Sequence, residues 1–303
     1  MAMTTQQMGV LARVGVDRII KNYDESPNKL YPQFIGKNFD TNQAYMQAAQ
    51  VSDFSMANVV NETSSITFDT WRLVRTKTYT PLMRAIGYQV SEQANETDLY
   101  NLAAQPVPKI LLAMDKTKEQ VAANILNLGF NTATANLGAD SKSLFATDHP
   151  QDTGLGVNKA SSGVAFSISA LRAAITDLMS QDSEKGDPFP AMGPFVLVVP
   201  PALSIYAQEV VNSTKMPGTP NNEPNVAGGM ISKVITNPYL TSSTAWFLLP
   251  ASKAENPLFF LQRVARKTRQ EYDIDHLIYK FAVFEEYLGS FLTWRGTWGT
   301  EGA

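Results

Sequence analysis

The chain has 303 residues and is 44% apolar, enough for the core of one large or two modest domains and too much for disorder as its main state. Its 25 Lys and Arg against 28 Asp and Glu leave a formal charge of −3 without any basic run, so a free nucleic-acid reader is excluded and contact with DNA is expected to be weak or local. Cysteine is absent, which removes disulfides, thiolate metal sites and cysteine nucleophiles, and no apolar run reaches the roughly 18 residues of a membrane span.

The first stretch, TTQQMGVLARVGVDRIIKNYDE (4–25), places Met8, Leu11, Ala12, Gly15 and Ile19 on one helical face behind Thr4 or Thr5 as N-cap. It reads as a short amphipathic arm whose apolar partner lies elsewhere, such as on another subunit. No basic segment followed by an apolar run precedes it, so a secretory signal is not expected and the protein should be made and kept in the cytosol.

Between residues 60 and 90, SITFDTWRLVRTKTYTPLMRAIGYQV is rich in Thr, β-branched and aromatic residues and punctuated by Pro81 and Gly87, which predicts two extended strands in a long hairpin. Its charges are nearly all basic: Arg72, Arg75, Lys77 and Arg84. Unpaired strand edges invite association, so these four cations are the candidate inter-subunit contacts.

PVPKILLAMDKTKEQVAANILNLGF (106–130) repeats Ile110, Met114, Val121, Ile125 and Leu128 at helical spacing, with prolines before the run and Gly129 at its end, predicting one long helix. A polar stretch over 131–163 follows, then a second amphipathic helix through Leu171, Ile175 and Leu178. The apolar run FVLVV (195–199) predicts a buried strand leading into a helix over 202–213 with Leu203, Tyr206 and Val210 inward. Residues 214–229 carry three prolines and three glycines without periodicity and predict a long irregular loop. Strands are expected at 231–235, 246–249 and 258–261 and in the aromatic ending 276–299, so the class is α+β.

No constellation for chemistry emerges. The two histidines, His149 and His276, have no metal-ligand spacing, and neither GxSxG nor a Gly-rich phosphate cradle is present. His149 beside Asp148 fits a polar turn fixed by Asp148 and Pro150 better than a hydrolase dyad, which is kept as an alternative. Glu285 and Glu286, as strand neighbours, must face opposite sides, and they fit a solvated face and a salt bridge better than a catalytic pair. No enzyme activity, cofactor or metal is expected.

TKEQVAANILNLGF (117–130), SLFATDHP (143–150), LVVPPAL (197–203), ITNPYLTSSTAWFLLP (235–250), PLFFLQR (257–263) and FLTWRGTWGTEG (291–302) stand in an order that resembles the tailed-bacteriophage major capsid proteins of the Hong Kong 97-type fold, near the Mu-like major head subunits. LFATDHP and the WRG ending are the most specific pieces. The resemblance implies an N-terminal arm (1–60), an extended loop (61–104), a peripheral domain (105–191) with a spine helix (106–130), an axial domain (192–273) and C-terminal strands (274–303) returning to the peripheral domain. It further implies a structural subunit that self-assembles as pentamers and hexamers into an icosahedral virion shell around double-stranded DNA, built in the host cytoplasm. The expected partners are other copies, a portal, decoration proteins and DNA by non-specific contact, with no membrane. Only a short arm precedes the extended loop, which points to a separate scaffolding protein. Some members cross-link a loop lysine to an asparagine; Lys77 lies in the corresponding region. The alternatives are an encapsulin-like nanocompartment shell, distinguished by its cargo, and a tail or adaptor component.

Overall fold

The computed structural model describes residues 29–62, 65–66, 68–97, 106–189, 191–215 and 224–303; the amphipathic arm at 4–25 and the centre of the 214–229 loop lie outside them. The chain enters through a 3-10 turn (Tyr31–Gln33) docked on the long helix α1 (Pro106–Asn127). There the buried carboxylate of Glu119 accepts hydrogen bonds from the backbone N–H of Leu30 (2.7 Å) and Tyr31 (2.9 Å). Removal from water pushes that carboxyl upward against the two backbone donors.

Two four-stranded sheets form the body. The larger has the order β1 (Lys37–Asp40), β10 (Leu258–Asp273), β11 (Ile278–Phe291) and β4 (Leu82–Ser91), all antiparallel except β1 with β10. The smaller has the order β12 (Trp298–Thr300), β9 (Trp246–Pro250), β7 (Phe195–Val199) and β8 (Ile231–Thr236), with β7 and β8 parallel. Two small antiparallel pairs complete it: β2 (Met46–Val51) with β3 (Leu73–Tyr79), and β5 (His149–Gln151) with β6 (Gly154–Gly156).

The smaller sheet explains why its central strands are continuously apolar. Phe195, Leu197, Val199, Trp246 and Leu248 face a layer made by α2 (Ile168–Met179), α3 (Pro201–Asn212) and the single turn α4 (Val226–Gly229). Val196, Val198, Phe247 and Leu249 face the other way, into a core shared with Ile125 and Leu126 of α1, Phe145, and Leu258, Phe260 and Tyr287 of the larger sheet. A sheet covered on both faces has no polar side to display. α1 also lies across the larger sheet, with Val107, Ile110, Leu111 and Met114 against Phe281 and Val283.

Within the described residues the predicted helices and most strands are present, but the strand pairing differs from the expectation. β3 and β4 do not form a hairpin with each other: β3 pairs with β2 from Met46–Tyr79 to Gln50–Arg75 and, past a register shift that skips Val74, at Val51–Leu73, while β4 pairs with β11. The extended hairpin therefore runs from 46 to 79, and Pro81 marks the step of the chain from one sheet to the next. β10 is sixteen residues long where only 258–261 was expected, and it belongs to the larger sheet, while α2 packs on the smaller one. Leu128 and Tyr206, expected inward, are 39% and 43% exposed. The last four residues of the 214–229 loop are the α4 turn, capped by the Asn225 side chain.

Phe145 is 1% exposed, packs against Phe130 and Phe247, and joins the loop before β5 to α1 and the smaller sheet. Phe145→Ala should cost about 3–5 kcal/mol in urea unfolding. Ile205→Ala, at a residue 75% exposed, should change it by less than about 0.5 kcal/mol.

Candidate assembly surface

Among the described residues of 52–72, which link β2 and β3, none lies in a helix or strand. Phe54, Met56, Val59, Ile66, Phe68 and Trp71 there are each 62–94% exposed. Scattered apolar residues on a surface are ordinary, but a row of this size on one projecting segment marks an interaction surface.

The four cations singled out in the sequence sit at the root of this loop and on β4, and each is engaged within its own chain. Arg72 donates to Asp152 (2.6 Å) and remains well exposed. Arg75 is half-buried: its Nη1 donates to Oε2 of Glu184 (3.0 Å), and its Nη2 lies 2.8 Å from Oε1 and donates to the Pro150 carbonyl at 2.8 Å. The Lys77 ammonium donates to the Leu137 carbonyl and lies over the rings of Tyr79 and Phe291; burial pushes its pKa down, with Asp140 opposing. Arg84 lies on β4, outside the hairpin, with its guanidinium 4.5 Å over the Tyr287 ring and Nη1 bonded to the Tyr287 carbonyl (2.8 Å). Arg72, Arg75 and Lys77 thus fasten the hairpin to its own body.

What receives them is a junction built from the two most specific sequence pieces. Glu184 is buried, and its Oε2 also accepts from Arg295 Nη2 at 3.0 Å, so one carboxylate ties the hairpin to the C-terminal WRG turn. Arg295 Nε donates to the Asp182 carbonyl (2.9 Å), and the guanidinium rests 4.9 Å over Trp294. The other partner of Trp294 is His149, stacked at 4.4 Å with 9° between the planes. His149 is fully buried; Nδ1 lies 2.6 Å from Asp140 and Nε2 lies 3.1 Å from Oδ1 of Asn158. That Oδ1 also accepts from the Ala146 N–H, so both ring nitrogens face oxygen atoms. Gly156 leaves room for the indole, since a Cβ there would stand 2.3 Å from Trp294. Sequence reasoning missed Glu184 and Arg295; the WRG piece was the signal available, but only the fold shows what it meets.

The other titratable residues singled out in the sequence sit in structural pairs. His149, read from the sequence as part of a polar turn, is buried at the start of β5, and Asp148 pairs with Lys142. His276 is exposed on the β10–β11 turn beside Asp273, whose carboxyl Lys280 and His276 hold down at about 2. Glu285 and Glu286 do face opposite sides, but neither is solvated: Glu285 pairs with Arg266 (2.5 Å) and Lys118 (3.7 Å), Glu286 with Arg263 through two bonds of 2.8 and 2.7 Å. A cavity of about 420 Å³ between Leu126, Phe130 and Phe247 holds neither histidine.

Removing one member of a buried ion pair strands its partners, so Glu184→Ala should cost about 3–5 kcal/mol in urea unfolding of the unassembled subunit. Arg72→Ala, which breaks only an exposed pair, should cost less than about 1 kcal/mol. For Asp140, burial raises the pKa but the bond and charge of His149 outweigh it, and the carboxyl ends below its ordinary value. A lowered folded-state pKa contributes stability above the unfolded value, which is lost as pH falls through the folded one. The thermal midpoint should therefore drop below about pH 4, and Asp140→Asn should start lower at pH 7 and flatten that acid limb.

Compared with known proteins, residues 74–297 match the family model described as phage capsid protein. No curated protein sequence matches. Among solved structures, the capsid of the cyanophage P-SCSP1u aligns with a TM-score of 0.59 at 10% identity over 91% of this chain and 88% of that one. The mature capsid of bacteriophage PhiM1 gives 0.56 at 10% identity over 90% and 87%. A virus-like particle from Pyrococcus furiosus gives 0.53 at 11% identity over 93% and 95%. These likenesses speak for the fold, and the family match favours a phage head over a cargo-holding nanocompartment. With the fold, the exposed hairpin and a junction built for structure in place of catalysis, the chain belongs to the phage capsid protein family, as a major capsid subunit of Hong Kong 97-type fold from a tailed phage.

Proposed function

We propose that the hairpin over 46–79 is the brace by which each subunit holds its neighbours in pentamers and hexamers of a closed icosahedral shell around double-stranded DNA. The observation that carries this reading is the row of exposed apolar side chains from Phe54 to Trp71, which no part of the chain's own described residues covers. Burying such side chains contributes about 25 cal/mol per Å², and a shell repeats the gain at every contact. Arg72, Arg75, Lys77 and Arg84 serve inter-subunit contact by setting the hairpin's direction and lining the surfaces beside it. In this reading the α1 unit is the peripheral part, the smaller-sheet unit surrounds the capsomer axis, and the 214–229 loop lies near its centre. A separate scaffolding protein, a portal and decoration proteins are the further partners, DNA is met by weak non-specific contact, and assembly takes place in the host cytoplasm.

Replacing 54–68 by a short Gly-Ser turn should leave circular dichroism near that of the parent chain while closed shells disappear from negative-stain images. Closed shells at the parent yield would refute the brace.

A further inference from the structure

Resting on the brace reading above for its consequence, we propose that residues 52–72 form a strap that hinges at the bulge in the hairpin and closes on its own body through two outer ion pairs. The hairpin is held twice by the same platform. That platform is made of the turns at 150–154 and 183–187, joined by the Asp152 N–H, which donates to the Glu184 carbonyl at 3.0 Å, and packed so closely that a Cβ on Gly186 would stand 2.4 Å from the Thr153 hydroxyl. Arg75 meets it from inside the bulge, through the Pro150 carbonyl and the Glu184 carboxylate. Arg72 and Asp69 meet it from outside, through Asp152 and Lys185.

The inner and outer holds differ in strength. The side chains of Arg75 and Glu184 are 16% and 2% exposed, and Lys77 and Tyr79 extend the hold to the Leu137 and Phe291 carbonyls, so three alternate residues of β3 mount on separate body segments. Arg72 and Asp152 are 60% and 33% exposed, and Asp69 is 33% exposed. Charge pairs open to water are weak and screened by salt, whereas pairs withdrawn from water are screened much less. Between the two holds the β2–β3 ladder shifts register: Gln50 pairs with Arg75 and Val51 with Leu73, skipping Val74. A bulge interrupts the ladder and bends the strand, which places the hinge here. Beyond it the two sides of the loop are tied to each other, the Ser52 N–H to the Arg72 carbonyl (2.9 Å) and the Ser55 N–H to Asp69 (2.8 Å), so the base of the strap turns as one piece.

The two outer pairs have opposite polarity, a cation of the loop on Asp152 and an anion of the loop on Lys185. Closure out of place would set Arg72 beside Lys185 or Asp69 beside Asp152, like charges in both cases, so one seating is favoured over its neighbours. The strap therefore returns to a defined position when it closes. Because these pairs sit outside the mount, they open without disturbing Arg75, Lys77 or Tyr79. In the proposed shell this lets the apolar row of the brace tilt toward neighbours at pentameric or hexameric spacing while its root stays fixed.

The absence of native cysteine allows a direct test by single-molecule energy transfer on dilute, unassembled subunits. Met56, Thr76 and Ala173 are exposed, the first in the strap, the second on β3 inside the bulge and the third on α2. Dyes on Met56→Cys with Ala173→Cys should give one narrow distance distribution at about 20 mM salt and a broader, shifted one at about 1 M, where charges are screened beyond about 3 Å. Dyes on Thr76→Cys with Ala173→Cys should stay narrow at both. Arg72→Gln with Lys185→Gln should give the broad 56–173 distribution already at low salt, whereas the charge swap Arg72→Asp with Asp152→Arg should keep the narrow one. A 56–173 distribution indifferent to salt or to the double variant overturns the strap. Broadening of 76–173 alongside it moves the motion into the mount and overturns the hinge. The salt comparison needs no charge variant to fold. No shell is involved, so failure here leaves the brace standing, and closed shells after replacement of 54–68 would refute the brace with the strap intact.

Discussion

The carboxylate of Glu184 is the constraint on which the geometry of this subunit depends. It is buried, and it is held from two sides by guanidinium groups that come from distant parts of the chain, Arg75 on the hairpin and Arg295 on the C-terminal turn. A buried charge is tolerated only with its partners in place, so each of the three elements that meet there must be correctly seated before any of them is stable. Around this point the Trp294 ring, stacked with His149 and Arg295, closes the space between the loop that leads into β5 and the end of the chain. The direction in which the hairpin leaves the body follows from this junction, since Arg75 also grips the Pro150 carbonyl and Lys77 the Leu137 carbonyl.

The body behind the junction is built to resist deformation. The smaller sheet is buried on both faces, and the core on one of those faces is the same core that α1 shares with the larger sheet. Packed interiors transmit strain and do not bend gradually. In the proposed shell, load arriving through the hairpin would reach the whole subunit, and adaptation to pentameric or hexameric surroundings would fall to the extended pieces that have little core of their own.

Charge is arranged to the same end. Cations near the hairpin root are consumed inside the chain by Asp152, Glu184 and main-chain carbonyls, and the tip is left apolar with acidic residues. The buried contacts keep their strength in salt, and the exposed ones lose it. Direction is thus set by the inner contacts, and in the proposed brace association rests mainly on apolar area at the tip.

Much of this was legible in the sequence. The period of apolar residues marked α1, α2 and α3, and the unbroken FVLVV and WFLLP marked strands with no face toward water, because periodicity and length report burial directly. The collinear pieces ending in WRG pointed to the family. Strand partners were not legible: β3 and β4 are adjacent in sequence and both extended, yet they lie in different sheets, because hydrogen bonds to β2 and β11 depend on segments far away along the chain. The long outer part of β10 was missed because its residues are charged and only its pairing with β11 makes it a strand. The four cations were visible as residues but not as contacts. Which way a charged side chain turns is decided by where a buried carboxylate such as Glu184 waits for it, and that position exists only once the chain has folded.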